Sequence, residues 1–188
     1  MKNDIKHVDH PLRKWLFGAL LLLVMLLIGS ADAVLAQPPG LDTFDAKVVG
    51  VSDGDTLTVI RPDPRNPGRT LRHRVRLAEI DTPEKAQPYG TAAKQALSDL
   101  VFNRTVRIEQ VDVDRYGRLV AHAYVGDTQQ IWVNAHMVRS GHAWVYRRYA
   151  QSPELFQMED VARRQRAGLW SLPESERTPP WEWRHARR

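Results

Sequence analysis

Three short clusters carry residue types that could do chemistry together: Asp53-Gly54-Asp55-Thr56, Arg76-Leu77-Ala78-Glu79-Ile80-Asp81-Thr82-Pro83-Glu84, and Asp114-Arg115-Tyr116-Gly117-Arg118. Carboxylates, arginines and a spare acid are what phosphodiester cleavage demands. The substrate anion repels a nucleophile, and charge builds on its oxygens as phosphorus becomes five-coordinate, so a site must supply fixed positive charge and a hydroxide equivalent. A hard divalent cation held by carboxylates and a carbonyl polarises a phosphate oxygen and acidifies a bound water. Asp55 and Asp81 are the carboxylates at hand for it. Arg76 and Arg118 can hold phosphate oxygens through two parallel hydrogen bonds, which lysine cannot reproduce. Glu84 can accept a proton from the attacking water. Taken singly, each cluster also has a purely structural explanation. Asp-Gly suits a tight hairpin, Thr82-Pro83 suits a helix start, and Tyr116-Gly117-Arg118 suits a turn.

Composition narrows the chemistry further. The chain has 188 residues, a formal charge of +5 and no cysteine, which excludes disulfides, thiolate zinc sites and a nucleophilic thiol. A metal would have to sit on oxygen or imidazole. The histidines are scattered, and His136 and His142 straddle an expected helix end, which disfavours a histidine metal centre. The basic balance, dominated by arginine, suits a polyanionic partner.

The elements that must carry the clusters begin near Phe44. Ala46–Val51, Thr56–Arg61 and Arg72–Ile80 read as three strands of a meander, the first two joined across Asp53-Gly54. Residues 62–68 hold three prolines and must be a loop. A helix is expected over Thr91–Val101, then strands Thr105–Val111 and Leu119–Val125. A second helix over Ile131–Ser140 should stop at Gly141, and a third over Pro153–Ala167 should start from a Ser152 cap and stop at Gly168. Five short strands with about three helices outline a mainly β, α+β domain of the OB-barrel type. Residues 171–188 lack periodicity and read as a Pro- and Arg-rich tail, although Trp181 and Trp183 should fold back onto the domain.

Ahead of the domain, Lys2, Lys6, Arg13 and Lys14 precede the apolar run Trp15–Ile28 and then small residues, the order of a secretory signal peptide over 1–36 with a short linker over 37–43. Cleavage after Ala36 would give a periplasmic or secreted protein. Without it, residues 15–28 would anchor the chain in the inner membrane.

The three clusters, in this order and with strand-like flanks, resemble the staphylococcal (micrococcal) nuclease family, and the resemblance runs over residues 44–170. It implies an OB-fold and calcium-dependent cleavage of DNA and RNA to 3′-phosphate products. It further implies calcium ligands at Asp55, Asp81 and the Thr82 carbonyl, with Asp53 an acid behind them. Catalytic roles would fall to Arg76, Glu84 and Arg118, and substrate contacts to Tyr116 and Tyr146. Residues 85–89 and 144–146 are shorter than the family pattern, so base preference is not implied. A monomer without a stable protein partner is expected. The competing reading is a non-catalytic OB module that binds nucleic acid or a protein; retention of all the acids and arginines argues against it.

Overall fold

The structure is a computed structural model that describes residues 42–187, so the expected signal segment and most of the linker lie outside the described residues. Strands β1 (Thr43–Asp53), β2 (Thr56–Pro62) and β3 (Thr70–Leu77) form an antiparallel meander. Short β4 (Ile80–Asp81) and helix α1 (Gly90–Val101) follow, then β5 (Thr105–Val113), β6 (Leu119–Val125) and the two-residue β7 (Ile131–Trp132). Helix α2 (Val133–Arg139), β8 (Trp144–Val145) and α3 (Pro153–Arg164) come next. Two 3-10 turns (Gly168–Ser171 and Glu174–Glu176) lead to α4 (Pro180–His185).

Strand periodicity builds the core. Ala46 and Val48, Leu57 and Val59, Val75 and Leu77, Val106 and Ile108, and Ala121, Ala123 and Val125 recur at every second position and are all buried. A single sheet with one apolar face this long must cover that face, and it does so by closing on itself. β1 pairs with β5, β5 with β6, and β6 runs parallel to β3 with Val75 opposite Leu119 and Leu77 opposite Ala121. The result is the expected five-stranded closed barrel. Leu97 and Val101 of α1, Met137 and Val138 of α2, and Leu155 of α3 seal its open sides.

Four elements depart from the sequence-based expectation. The third strand was expected to reach Ile80, but it breaks at Ala78-Glu79, where Glu79 adopts a left-handed φ of 65°. The carboxylate of Glu79 accepts from the backbone N–H groups of Gln151 and Ser152 (both 2.8 Å) and from Ser152 Oγ (2.9 Å), so a distant loop holds the strained turn in place. The second helix starts at Val133 because Ile131 and Trp132 instead pair with Val125 and Tyr124. The third helix ends at Arg164, three residues before the expected Ala167. The expected tail is structured from Glu174 to His185, and with α4 the described residues carry four α-helices. As anticipated, Trp181 folds back onto Trp144, with ring centroids 5.8 Å apart, whereas Trp183 stacks with Arg187 of its own segment.

Two buried polar residues lock the barrel to the helices. Asn134, fully buried, donates to the carbonyls of Ala78 (2.9 Å) and Ala121 (3.3 Å) and accepts from the N–H of Ala123 (3.0 Å). It thereby satisfies the Ala78 carbonyl at the β3–β4 break and ties that break to β6. Glu159, also fully buried, accepts from Val145 N–H (2.9 Å), Arg147 (2.8 Å) and Arg163 (3.1 Å), tying α3 to β8.

Candidate active site

The site forms where the β1–β2 turn meets β4. Asp53 opposes Thr56 across the turn, so Gly54 and Asp55 are its two loop residues. Gly54 has no left-handed φ; the demand on it is a close approach, since a Cβ there would lie 2.9 Å from side-chain atoms of both Thr82 and Ala93. That contact brings Thr82 onto Asp55. The Thr82 N–H (2.9 Å) and hydroxyl (3.0 Å) both donate to Asp55 Oδ2, while Thr56 Oγ1 donates to Asp55 Oδ1 (3.1 Å).

Arg76 leaves the outer face of β3 and lies between the two aspartates. Its Nη1 pairs with Asp55 Oδ2, and its Nη2 donates to Asp81 Oδ1 (2.8 Å) and to the Ile80 carbonyl (3.2 Å). Both carboxylates are out of solvent, Asp55 at 5% exposure and Asp81 at 1%. Burial alone would favour the neutral acid at Asp55, but the charge and hydrogen bonds of Arg76 hold its pKa below the ordinary value. Burial likewise opposes the charge on Arg76, and its two aspartates outweigh that and raise its pKa. Asp53 has no arginine; burial and then the neighbouring Asp55 charge push it up from 3.8 to about 6.

Glu84, partly exposed, follows Asp81 and Thr82 at the edge of the cluster, and its N–H is held by Gln87 Oε1 (3.0 Å). Asp55, Asp81, Thr82, Arg76 and Glu84 are therefore assembled in one place. Arg118 is not in contact with them. Its Nε donates to Asp114 Oδ2 (2.7 Å) and its N–H to Asp114 Oδ1 (3.0 Å), within its own turn. The parallel register sets that turn beside the right strand, because Leu119 lies opposite Val75 and Val120 opposite Arg76. Tyr116 is exposed near the Arg118 guanidinium, at 5.7 Å from ring centroid to Cζ. Tyr146 is near the cluster through the chain: Asp81 pairs with Trp144 across β4 and β8, and the Tyr146 N–H donates to the Glu79 carbonyl (2.8 Å).

One participant was missing from the sequence reading. Arg184 of α4 donates to Asp81 (2.6 and 3.2 Å) and to Glu84 (2.7 Å). The available signal was Pro179-Pro180 as a helix start, with Trp181 and Arg184 one turn apart on the helix that follows. Among the described residues, no three acidic or histidine side chains stand in a ready metal-binding arrangement. The donor set still fits a hard cation. Asp55, Asp81 and Glu84 exceed Arg76 by two negative charges, all on oxygen, and a guanidinium already sits on two of these groups.

A sequence profile described as staphylococcal nuclease homologue matches residues 74–172, a stretch that includes Arg76, Asp81, Glu84 and Arg118. The chain belongs to the staphylococcal nuclease family. It is 39% identical over 167 residues to a micrococcal nuclease of Shigella flexneri, covering 85% of this chain and 91% of that protein. It is 42% identical over 139 residues to an uncharacterized endonuclease of Escherichia coli, covering 74% and 84% respectively. A protein named ParB of Escherichia coli is 40% identical over 169 residues, covering 85% and 90%. Within this staphylococcal nuclease domain, Asp55 lies in the β1–β2 turn, Arg76 on β3, Asp81 on β4 with Thr82 just after it, and Arg118 in the β5–β6 turn.

The Asp53 shift has a measurable consequence. A folded pKa of about 6 above an ordinary 3.8 means that the folded state binds more protons in between. The associated stability is fully present below the lower value and is lost as pH rises through the higher. With divalent cations chelated, Asp53→Asn, which keeps an acceptor for the Asp55 N–H but carries no charge, should gain stability on wild type as pH rises from about 4 to about 7 and keep that gain above it. Urea unfolding midpoints across that range measure the gap; a gap independent of pH would contradict the assignment.

Proposed function

We propose that this chain is an exported, calcium-dependent nuclease that hydrolyses phosphodiester bonds of DNA and RNA and leaves 3′-phosphate ends. The observation that carries the proposal is the convergence of two buried aspartates, Asp55 and Asp81, on one largely buried arginine, with Glu84 at the rim. Packing alone does not call for three charged groups out of water, whereas binding a cation and a phosphate does. The nuclease names of the relatives point the same way.

Asp55, Asp81 and the Thr82 carbonyl are the groups to hold calcium, which when bound would polarise a phosphate oxygen and acidify a water. Arg76 is held in orientation by its aspartates and offers fixed positive charge at the phosphate without reorganisation. Glu84 accepts the proton of the attacking water. Arg118, restrained by Asp114 at the end of its turn, meets the oxygens that gain charge as phosphorus becomes five-coordinate. Tyr116 and Tyr146 offer ring faces to the flanking base and sugar. The chain acts as a monomer.

Assays with the purified chain test this reading. DNA and RNA should both be degraded with calcium and spared with chelator. Arg118→Lys keeps the charge but loses the planar fork, so it should lower kcat by roughly 10²–10³ with KM little changed. Turnover undiminished by chelator, or an Arg118→Lys effect confined to KM, would refute the assignment.

Export is the reading supported by the basic, apolar and small-residue order of residues 1–36. Intact mass of the protein recovered from its native compartment should correspond to a chain starting at Gln37. A product that keeps Trp15–Ile28 would contradict export by cleavage.

A further inference from the structure

Helix α4 lies on the active site itself. Arg184 Nη2 donates to Asp81 Oδ2 (2.6 Å), and Nη1 donates to Asp81 Oδ1 (3.2 Å) and Glu84 Oε1 (2.7 Å). Trp181, one helical turn earlier, stacks on Tyr146 with 5.5 Å between centroids and 2° between planes. Gln87, whose Oε1 holds the Glu84 N–H, donates its side-chain amide to the Thr178 carbonyl just before α4. An ion pair, an aromatic stack and a hydrogen bond thus bring the end of the chain onto the groups assigned to catalysis.

Two of these contacts imitate what the site is built to bind. A guanidinium stays protonated at any working pH, so Arg184 is a permanent cation on carboxylate oxygens that a divalent ion would also need. The Trp181 ring lies flat on Tyr146 as a nucleobase would. The helix has only six residues, too few to be stable by its own hydrogen bonds, so its position depends on these contacts and on the packing of Trp181 against Trp144. It also contributes little to the barrel core, which closes without it. A ligand with stronger claims on the same groups can displace it.

We propose that α4 is a movable part of the active site: Arg184 competes with the divalent cation for Asp81 and Glu84, and Trp181 competes with a base for Tyr146. The helix must leave before the site is loaded. Apparent cation affinity is then lower than intrinsic affinity in proportion to the fraction of molecules with α4 released. The end of the chain thereby sets the cation concentration at which the nuclease works. This inference rests on the metal reading above.

Calcium titration calorimetry on the full-length purified chain and two variants tests it without reference to turnover. Arg184→Ala should bind calcium about tenfold more tightly than wild type or better, as expected when a competitor holding most molecules closed is removed. Arg187→Ala is the control: it removes the same charge from the same end of the chain, but Arg187 stacks on Trp183 and touches neither carboxylate, so affinity should be unchanged. Hydrogen exchange of residues 179–187 should also accelerate in wild type as calcium is added. Equal or weaker calcium binding by Arg184→Ala, equal tightening by Arg187→Ala, or unchanged exchange in α4 would each overturn the competition while leaving the metal reading intact. Absence of calcium binding by all three proteins would overturn both.

Discussion

A guanidinium taken out of water has to be neutralised where it lies, and Arg76 is neutralised by two carboxylates from different parts of the chain. Asp55 comes from the β1–β2 turn and Asp81 from β4, and neither is free to move once the three are paired. Removing one partner of such a buried group typically costs about 3–5 kcal/mol, because the charge left behind is uncompensated. Several structural choices follow from meeting that requirement. Gly54 must lack a side chain so that Thr82 can reach Asp55. β3 must break at Glu79 so that Ile80 and Asp81 turn back toward Arg76, and the Glu79 carboxylate must then be occupied by the Gln151–Ser152 backbone to hold the break. Asn134 satisfies the Ala78 carbonyl that the break releases from the ladder.

The same triad leaves an imbalance. One arginine against Asp55 and Asp81 is a net negative charge, and Glu84 adds another at the rim. Against this imbalance Asp53, held first by its burial and then by the neighbouring Asp55 charge, keeps its proton up to about pH 6. Arg184 answers it with a cation from the far end of the chain. A pocket of oxygen donors with more negative charge than its permanent arginine can balance is the electrostatic condition for recruiting a divalent ion.

How much of this was legible in the sequence depended on whether the determinant was local. The β1–β2 hairpin, the five barrel strands and helix α1 follow alternating and helical periodicity, which short windows carry, and they stand within a few residues of the expected bounds. The break at Glu79 was not legible, because its cause is a carboxylate captured by backbone more than 70 residues away. Glu159 was equally hidden, since a glutamate between the apolar positions of α3 reads as surface until Val145 and two arginines close over it. For the site, the identities of Asp55, Asp81, Thr82, Glu84 and Arg76 were visible as clusters, and the fold brings them together. Arg184 was missed because a six-residue helix has too little periodicity to announce itself and its partners are about 100 residues away.

The most direct test of the account is a crystal structure of the chain grown with calcium and a nucleoside 3′-phosphate, the end group of the proposed product. Calcium should lie on the carboxylates of Asp55 and Asp81 and the Thr82 carbonyl, the phosphate in reach of Arg76 and Arg118, and the Arg184 guanidinium should be withdrawn from Asp81. Calcium bound elsewhere, or a phosphate that contacts neither arginine, would contradict it.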